Sequence, residues 1–268
     1  MAANDLSGFI PNPFTADGLT YDVYRAGSGP AVIVMAEIPG ITPRVIDFAR
    51  KVVDLGCSVA LPHLFGEPGK EPSAAYAMSI FAHVCVAREF NCLALGTVGK
   101  VGGWLRALAR SEHQRCGGPG VGAVGMCFTG NYALAMAVDD IMVAPVLSQP
   151  SVPFPFSKKH KTDAAVSEAD LEKIKVRCEG DGTRVLGLRF TGDKVSPPER
   201  FDTLRRALGD RFVGVEIDSS SGNPHGHPRS AHSVLTEDLD DSEGTPTREA
   251  LDSVLDLFRE RLLAASTR

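Results

Sequence analysis

The sequence lacks the features that mark membrane, secreted and nucleic-acid-binding proteins. No apolar run approaches the ~18 residues that a membrane-spanning helix needs. The first residues contain no basic segment followed by an apolar one, so no secretory signal is visible. The 28 basic and 33 acidic residues are interspersed, and the net charge of -5 favours neither nucleic acid nor a membrane as a partner. These absences predict a soluble, cytoplasmic protein, and no pattern indicates its oligomeric state.

Paired cysteines are lacking as well. None of the six cysteines belongs to a Cys-x-x-Cys pair, so the spacing of a zinc site is absent. In a cytoplasmic chain most such cysteines are small apolar core residues. We therefore expect no metal and no organic cofactor, and a special role only for a cysteine whose surroundings provide one. The cysteines are Cys57, Cys85, Cys92, Cys116, Cys127 and Cys178.

Apolar runs alternate with helical patterns along most of the chain. This alternation favours an α/β fold, with a mostly parallel sheet whose strands are buried under helices. The predicted strands are 31–36, 58–61, 121–126, 141–146, 185–190 and 212–217. The predicted helices are 42–55, 132–138, 167–178, 197–208 and 247–263. No linker or repeat interrupts the pattern, so we predict a single domain over residues 1–268, in which 148–178 is a candidate cap or insertion.

The segment Gly125-Met126-Cys127-Phe128-Thr129-Gly130 follows a predicted buried strand and opens a helix of small residues. In that context it predicts a nucleophile elbow, a strained turn that presents Cys127 above the sheet. The N–H of Phe128 would point toward a developing oxyanion, and the helix start would favour a thiolate. The alternative is a buried structural cysteine on a tight turn. Thr129 stands where the pattern has glycine, so the elbow either is distorted or relies on Gly130.

A catalytic thiol needs a base and a group that orients the base. On this type of fold the acid follows the nucleophile in the chain, and the histidine follows the acid. Asp193 lies at the end of a predicted strand, where the acid belongs; the alternative is a solvated turn residue. His225, His227 and His232 all follow before the last helix, and their positions alone do not separate them.

Several segments together resemble the dienelactone hydrolase family. Residues 37–40 (Glu-Ile-Pro-Gly) look like its Q-E-x-x-G segment. Residues 60–66 (ALPHLFG) are similar to its A-x-P-D-L-[YF]-G segment, with His63 in place of the aspartate. The elbow resembles G-Y-C-L-G-G, and residues 191–197 (TGDKVSP) and the pair His232-Ser233 complete the set. The resemblance runs from about residue 31 to the C-terminus.

The resemblance implies an α/β-hydrolase fold, with helices on both faces of the sheet, and a Cys-Asp-His triad. It assigns the nucleophile to Cys127 and the orienting acid to Asp193. The family's histidine is best matched by His232. However, the 39 positions between Asp193 and His232 exceed the family's usual gap, and His225 stays a competitor.

The resemblance also implies two further groups around the thiol. Glu37 would contact the resting Cys127 and keep it protonated, since a nearby carboxylate disfavours a thiolate. The alternative for Glu37 is a carboxylate at a helix N-terminus. The N–H of Ile38 would be the second oxyanion donor, beside that of Phe128.

These residues predict hydrolysis of an ester or lactone of a small molecule, and the resemblance implies an activity of the carboxymethylenebutenolidase type. Arg88 and Gln149 are candidate substrate contacts, because the family binds an anionic substrate with arginines and Gln149 follows a central strand. The alternative is a catalytically altered relative whose Cys127 senses oxidants or binds a ligand, which Thr129 and His63 would explain. A dehalogenase or an acyl transferase on the same fold would differ only in the acceptor or the leaving group.

Overall fold

The computed structural model describes residues 6–86, 99–151 and 157–264. The strands are β1 (Ile10–Ala16), β2 (Leu19–Ala26), β3 (Ala31–Met35), β4 (Ser58–Pro62), β5 (Val121–Met126), β6 (Met142–Ser148), β7 (Val185–Phe190) and β8 (Phe212–Ile217). They form an eight-stranded sheet in the order β1-β2-β4-β3-β5-β6-β7-β8. β2 runs antiparallel to both β1 and β4, and every other pair of neighbours is parallel.

Helices cover both faces of this sheet. They are α1 (Pro43–Asp54), α2 (Ala74–Val86), α3 (Gly99–Cys116), α4 (Gly130–Met136), α5 (Lys158–Lys161), α6 (Glu168–Asp181), α7 (Pro198–Leu208) and α8 (Pro246–Phe258). Successive residues of β3 point to opposite faces. Val32 and Val34 join a core with α1 and α8, whereas Ile33 and Met35 join a core with α3, α4, α6 and α7. None of the described helices is long and apolar enough to cross a membrane.

The predicted fold class is confirmed. The strands predicted at 121–126, 185–190 and 212–217 have the bounds of β5, β7 and β8. The helix predicted from residue 42 begins after Thr42, whose Oγ accepts a hydrogen bond from the N–H of Val45. Such a cap satisfies one of the N–H groups that a helix start leaves without a partner.

The segment predicted as a cap is shorter in the structure than 148–178. Its second half is α6, whose Ile174 and Cys178 are buried in the core under the sheet. Ser167 caps this helix by accepting from the N–H of Asp170 at 3.1 Å. Arg177 connects α6 to the turn between α4 and β6 by donating to the carbonyls of Ala137 and Asp139. Residues 168–178 are therefore the crossover helix between β6 and β7, and any insertion is confined to the residues before it.

Candidate active site

The turn from β5 into α4 presents Cys127 at the carboxyl edge of the sheet. Cys127 has φ +55°, a left-handed conformation that a residue with a side chain rarely adopts. Gly125 and Gly130 allow the turn to close: a Cβ on Gly125 would lie 2.2 Å from the Thr129 carbonyl oxygen, and one on Gly130 would lie 2.9 Å from Cα of Pro150. The predicted elbow is present, and it requires glycine at these two positions.

Thr129 is accommodated in the elbow by its hydroxyl group. The side chain is fully buried. Its Oγ1 accepts a hydrogen bond from the N–H of Met126 at 2.9 Å and lies 2.9 Å from the carbonyl oxygens of both Met126 and Met35. The hydroxyl therefore joins the end of β3 to the end of β5, directly below the nucleophile. The distortion considered for Thr129 is not seen, because the threonine supplies hydrogen bonds that a glycine would not.

The acid and the histidine meet beside Cys127. Nδ1 of His232 lies 2.6 Å from Oδ2 of Asp193. The other oxygen of Asp193 accepts from the N–H groups of Val195 and Ser196 at 2.9 and 3.3 Å, so the turn after β7 holds the carboxylate in place. Asp193 is 6% exposed, whereas the side chain of His232 is 23% exposed, so solvent reaches the imidazole.

The protonation of His232 is governed by its two partners. Burial opposes the charged ring, but the interaction with Cys127 and the hydrogen bond to Asp193 outweigh it and hold the pKa of His232 well above its usual value. Both interactions therefore favour the protonated form of the imidazole.

The competing histidines lie elsewhere. His225 is exposed and lies near Asp218. His227 stacks with His225 and packs against the ring of Phe190. Among the described side chains, His232 is the histidine that joins Asp193 and Cys127.

The carboxylate of Glu37 is directed at the loop that carries His232. It is 4% exposed and accepts hydrogen bonds from the hydroxyl groups of Ser233, at 2.7 Å, and Thr236. The amide of Gln149 donates to it at 3.2 Å. Its hydrogen bonds lead to the histidine loop, not to the thiol as the resemblance implied. Glu37 is thus placed to fix the position of His232.

Gln149 lies between the end of β6 and the histidine loop. It is fully buried, and its Oε1 accepts from the N–H of Val234 at 3.2 Å and from the hydroxyl of Ser148. Its side chain therefore bridges the end of β6, Glu37 and the histidine loop. The substrate contact expected at Gln149 stays a prediction. Arg88 lies outside the described residues.

Ser151 was not expected in the site, and it contacts Cys127 directly. Its hydroxyl donates to Sγ of Cys127 at 3.2 Å and lies 3.1 Å from the carbonyl oxygen of Gln149. A small polar residue just after β6 is a weak signal for such a contact. The loops at the carboxyl ends of neighbouring parallel strands do meet at one edge of the sheet, which is where β5 and β6 end.

The two predicted oxyanion donors follow the ends of neighbouring strands, β5 and β3. Phe128 is the first residue after Cys127, and Ile38 lies in the turn that follows β3, the neighbour of β5. A cavity borders Ile38 and Pro39 on one side of this turn, with Pro72, Ala74 and Ala77 on its wall. A second, open cleft reaches Asp193 and His232.

Other features stay outside the site. Nε2 of His63 lies 2.7 Å from the carbonyl oxygen of Gly66, within its own loop. This histidine therefore replaces the family's aspartate without entering the site. Among the described residues, no group of His, Cys, Asp and Glu side chains is arranged to hold a metal ion.

Comparison with known proteins identifies both the family and the fold. A model of the dienelactone hydrolase family matches residues 17–262. A Klebsiella pneumoniae structure provisionally described as a dienelactone hydrolase has 18% identity and a TM-score of 0.62, covering 94% of this chain and 99% of its own. A dienelactone hydrolase-like promiscuous phosphotriesterase from metagenomic libraries has 17% identity and a TM-score of 0.59, covering 95% and 98%.

A cold-adapted esterase from an Arctic intertidal metagenomic library has 13% identity and a TM-score of 0.56, covering 94% of this chain and 92% of its own. No curated protein matches the sequence. At these identities the solved structures establish the α/β-hydrolase fold, and the family model establishes the family.

Proposed function

Because the chain belongs to the dienelactone hydrolase family, we propose that it hydrolyses an ester or a lactone of a small molecule with Cys127, His232 and Asp193 as its triad. The observation that carries the proposal is the 2.6 Å contact between Asp193 and His232, whose ring interacts with Cys127 at the elbow. A structural cysteine would need neither a left-handed backbone nor an oriented imidazole.

The first half of the reaction forms a thioester. The Cys127 thiolate attacks the carbonyl carbon, and the electron pair of the C=O bond moves to the oxygen. The N–H groups of Phe128 and Ile38 are the donors for this oxyanion. When the tetrahedral intermediate collapses, the bond to the leaving oxygen breaks, and the imidazolium of His232 transfers its proton to that alkoxide.

The second half hydrolyses the thioester. His232 is now neutral, and Asp193 holds it in the tautomer whose Nε2 accepts a proton. It removes a proton from water, the hydroxide attacks the thioester carbonyl, and the same donors stabilise the oxyanion. Collapse releases the acid and returns the thiolate beside the imidazolium. The exposed edge of His232 provides access for the water.

Glu37 enters this proposal as a positioning residue. Its carboxylate fixes Ser233 and Thr236, on the same loop as His232. Asp238 fixes the start of that loop by accepting from the N–H groups of His232 and Ser233. Together they hold the imidazole for proton transfer over both half-reactions.

The test is turnover of a panel of small esters and lactones, such as p-nitrophenyl acetate and dihydrocoumarin, by the wild type and by Cys127→Ala. The wild type should hydrolyse members of the panel, and Cys127→Ala should lose the activity. Cys116→Ala is the matched control, because it removes another partly exposed thiol at the end of α3. No difference between the wild type and Cys127→Ala across the panel would refute the proposal.

The oxidant-sensing alternative loses its two sequence arguments, because Thr129 fits the elbow and His63 stays outside the site. A thiolate beside an imidazolium is nevertheless readily oxidised. Stoichiometric sulfenic acid at Cys127 under mild peroxide, in a protein that turns over no member of the panel, would favour that alternative.

A further inference from the structure

Ser151 is held against Cys127 by two hydrogen bonds. The hydroxyl donates to Sγ at 3.2 Å, and the backbone N–H of Ser151 donates to the carbonyl oxygen of Cys127 at 3.0 Å. Ser151 is 5% exposed. The N–H bond fixes the backbone of Ser151 relative to the elbow, so the hydroxyl reaches the sulfur without having to be ordered when substrate binds.

Two further side chains hold the carbonyl group of Ser151 in place. It accepts from Nδ2 of Asn131 at 3.2 Å and from Nη1 of Arg200 at 3.4 Å. Arg200 is 1% exposed, and its Nε has no hydrogen-bond partner among the described residues. Burial lowers the pKa of Arg200 to about 10, although Asp163 opposes this, so the guanidinium stays charged at neutral pH.

The charged groups around the sulfur come from several elements. His232 approaches from the histidine loop, with Asp193 behind it. Glu37 lies after β3, and its charge is directed to Ser233, Thr236 and Gln149. Arg200 adds a positive charge behind Ser151. Two positively charged groups, the imidazolium of His232 and the guanidinium of Arg200 behind Ser151, thus favour a negative charge on the sulfur.

We propose that Ser151 is a further catalytic residue, whose hydroxyl donates a hydrogen bond to the Cys127 thiolate and sets the pH range in which that thiolate forms. The inference rests on the proposed function, because it assigns Ser151 a role at the same nucleophile. When the sulfur attacks, its electron pair enters the new S–C bond, and the hydroxyl loses its charged acceptor. In the thioester the single proton of this hydroxyl turns to the carbonyl oxygen of Gln149, which lies 3.1 Å from the hydroxyl oxygen.

This role has a kinetic signature. A hydrogen bond to a charged acceptor is strong enough to move a titration midpoint by about one pH unit. A thiolate without that bond is also more nucleophilic, and with a Brønsted coefficient of about 0.4–0.5 it should react about threefold faster. Ser151→Ala should therefore react about threefold slower at low pH and about threefold faster at high pH, so that the two rate profiles cross.

The experiment follows modification of Cys127 by 4,4'-dithiodipyridine from pH 4 to pH 10. Mass spectrometry of the peptide that contains Cys127 separates this thiol from the other cysteines. Ser151→Thr retains the hydroxyl and should restore the wild-type profile. Ser253→Ala is the control, because it removes another serine hydroxyl, one that donates to the carbonyl of Glu249 in α8. Ser151→Gly replaces Ser151→Ala if the latter does not fold.

The outcomes separate this inference from the proposed function, since the disulfide probe requires no ester hydrolysis. Crossing profiles, together with an acid limb of kcat/KM shifted upward by about one pH unit, support the role of Ser151. Coincident profiles, or a uniform slowing at every pH, overturn it even if hydrolysis depends on Cys127. Crossing profiles in a protein without Cys127-dependent hydrolysis would support the role of Ser151 and overturn the hydrolase proposal.

Discussion

Replacing Thr129 by valine tests whether the hydroxyl of this residue holds the elbow in its active shape. The substitution keeps the branched side chain but removes the acceptor of the Met126 N–H and the donor that lies 2.9 Å from the carbonyl oxygen of Met35. Leaving a buried N–H without a partner costs about 1–3 kcal/mol. For a chain of this size each kcal/mol lowers Tm by about 2–4 °C, so we expect a decrease of about 2–12 °C.

The larger effect should be on catalysis. Thr129 lies next to Phe128, whose N–H is a proposed oxyanion donor, and a small displacement of a positioned group can cost about 100-fold in rate. We therefore expect kcat to fall by between about 10-fold and 100-fold, with a smaller change in KM. Stopped assays on one ester, together with thermal unfolding followed by circular dichroism, measure both quantities.

Thr247→Val is the matched control. Thr247 is also fully buried, and its Oγ1 accepts from the N–H of Asp240 at 3.1 Å and donates to the carbonyl of the same residue at 3.0 Å. It makes the same kind of backbone bridge at the start of α8, far from the elbow in the chain. It should lower Tm but leave kcat within about twofold of the wild type. Equal losses of activity in both variants, or a Thr129→Val enzyme with wild-type Tm and kcat, would refute the reasoning.

Three further predictions concern the triad. Asp193→Asn should reduce kcat by about 10⁴-fold, because the amide stabilises the wrong tautomer of His232; His225→Ala should leave kcat unchanged, and the opposite ranking would reassign the base. In Cys127→Ala, the pKa of His232, followed by NMR, should fall, since one of the two partners that raise it is removed while burial still lowers it and only Asp193 still opposes burial; an unchanged value would contradict the interaction with Cys127. Glu37→Gln should lower kcat while the wild-type enzyme and the variant bind a substrate analogue equally, and a loss of binding alone would assign Glu37 to the substrate.

The raised pKa of His232 also fixes the sign of a stability effect. The folded protein holds this proton more tightly than the unfolded chain does. The contribution of this proton to the free energy of unfolding is therefore fully present below the ordinary histidine pKa of about 6.5. It is lost as pH rises through the higher pKa of His232 in the folded protein. Wild-type Tm should fall relative to Tm of His232→Ala as pH rises through the folded value, as two pH series of unfolding curves would show; a constant difference between the two series would contradict the raised pKa.

The central strands were predictable because burial on both faces leaves continuous apolar runs between turn residues. β5 and β7 were located in this way, whereas β8, whose bounds were also predicted, is a partly exposed edge strand. The hairpin of β1 and β2 was missed, since only one of its residues is buried and two prolines lie in β1. The helix α3 was missed because glycines occupy its first turns, although Trp104 and Leu105 anchor it in the core.

The candidate site was predictable where a backbone motif dictates the residue type. Cys127 follows from the strand and turn around it, and Asp193 follows from the end of its strand. The choice between His232 and His225 needed the path of a long loop, which no local pattern specifies. The contacts of Ser151 and Glu37 depend on how separate loops meet at the sheet edge. The sequence alone therefore did not reveal them.

The hydrogen bond between Ser233 and Glu37 joins segments 196 positions apart. This separation matters while the chain is being synthesised. Cys127 leaves the ribosome on the order of ten seconds before His232 does, at ordinary rates of synthesis. During that interval the elbow lacks both the imidazole and the loop that carries it. The contact between Cys127 and His232 forms only once the histidine loop, which Glu37 holds through Ser233 and Thr236, has been made. On the proposed mechanism, Cys127 therefore becomes a reactive nucleophile late in the synthesis of this domain.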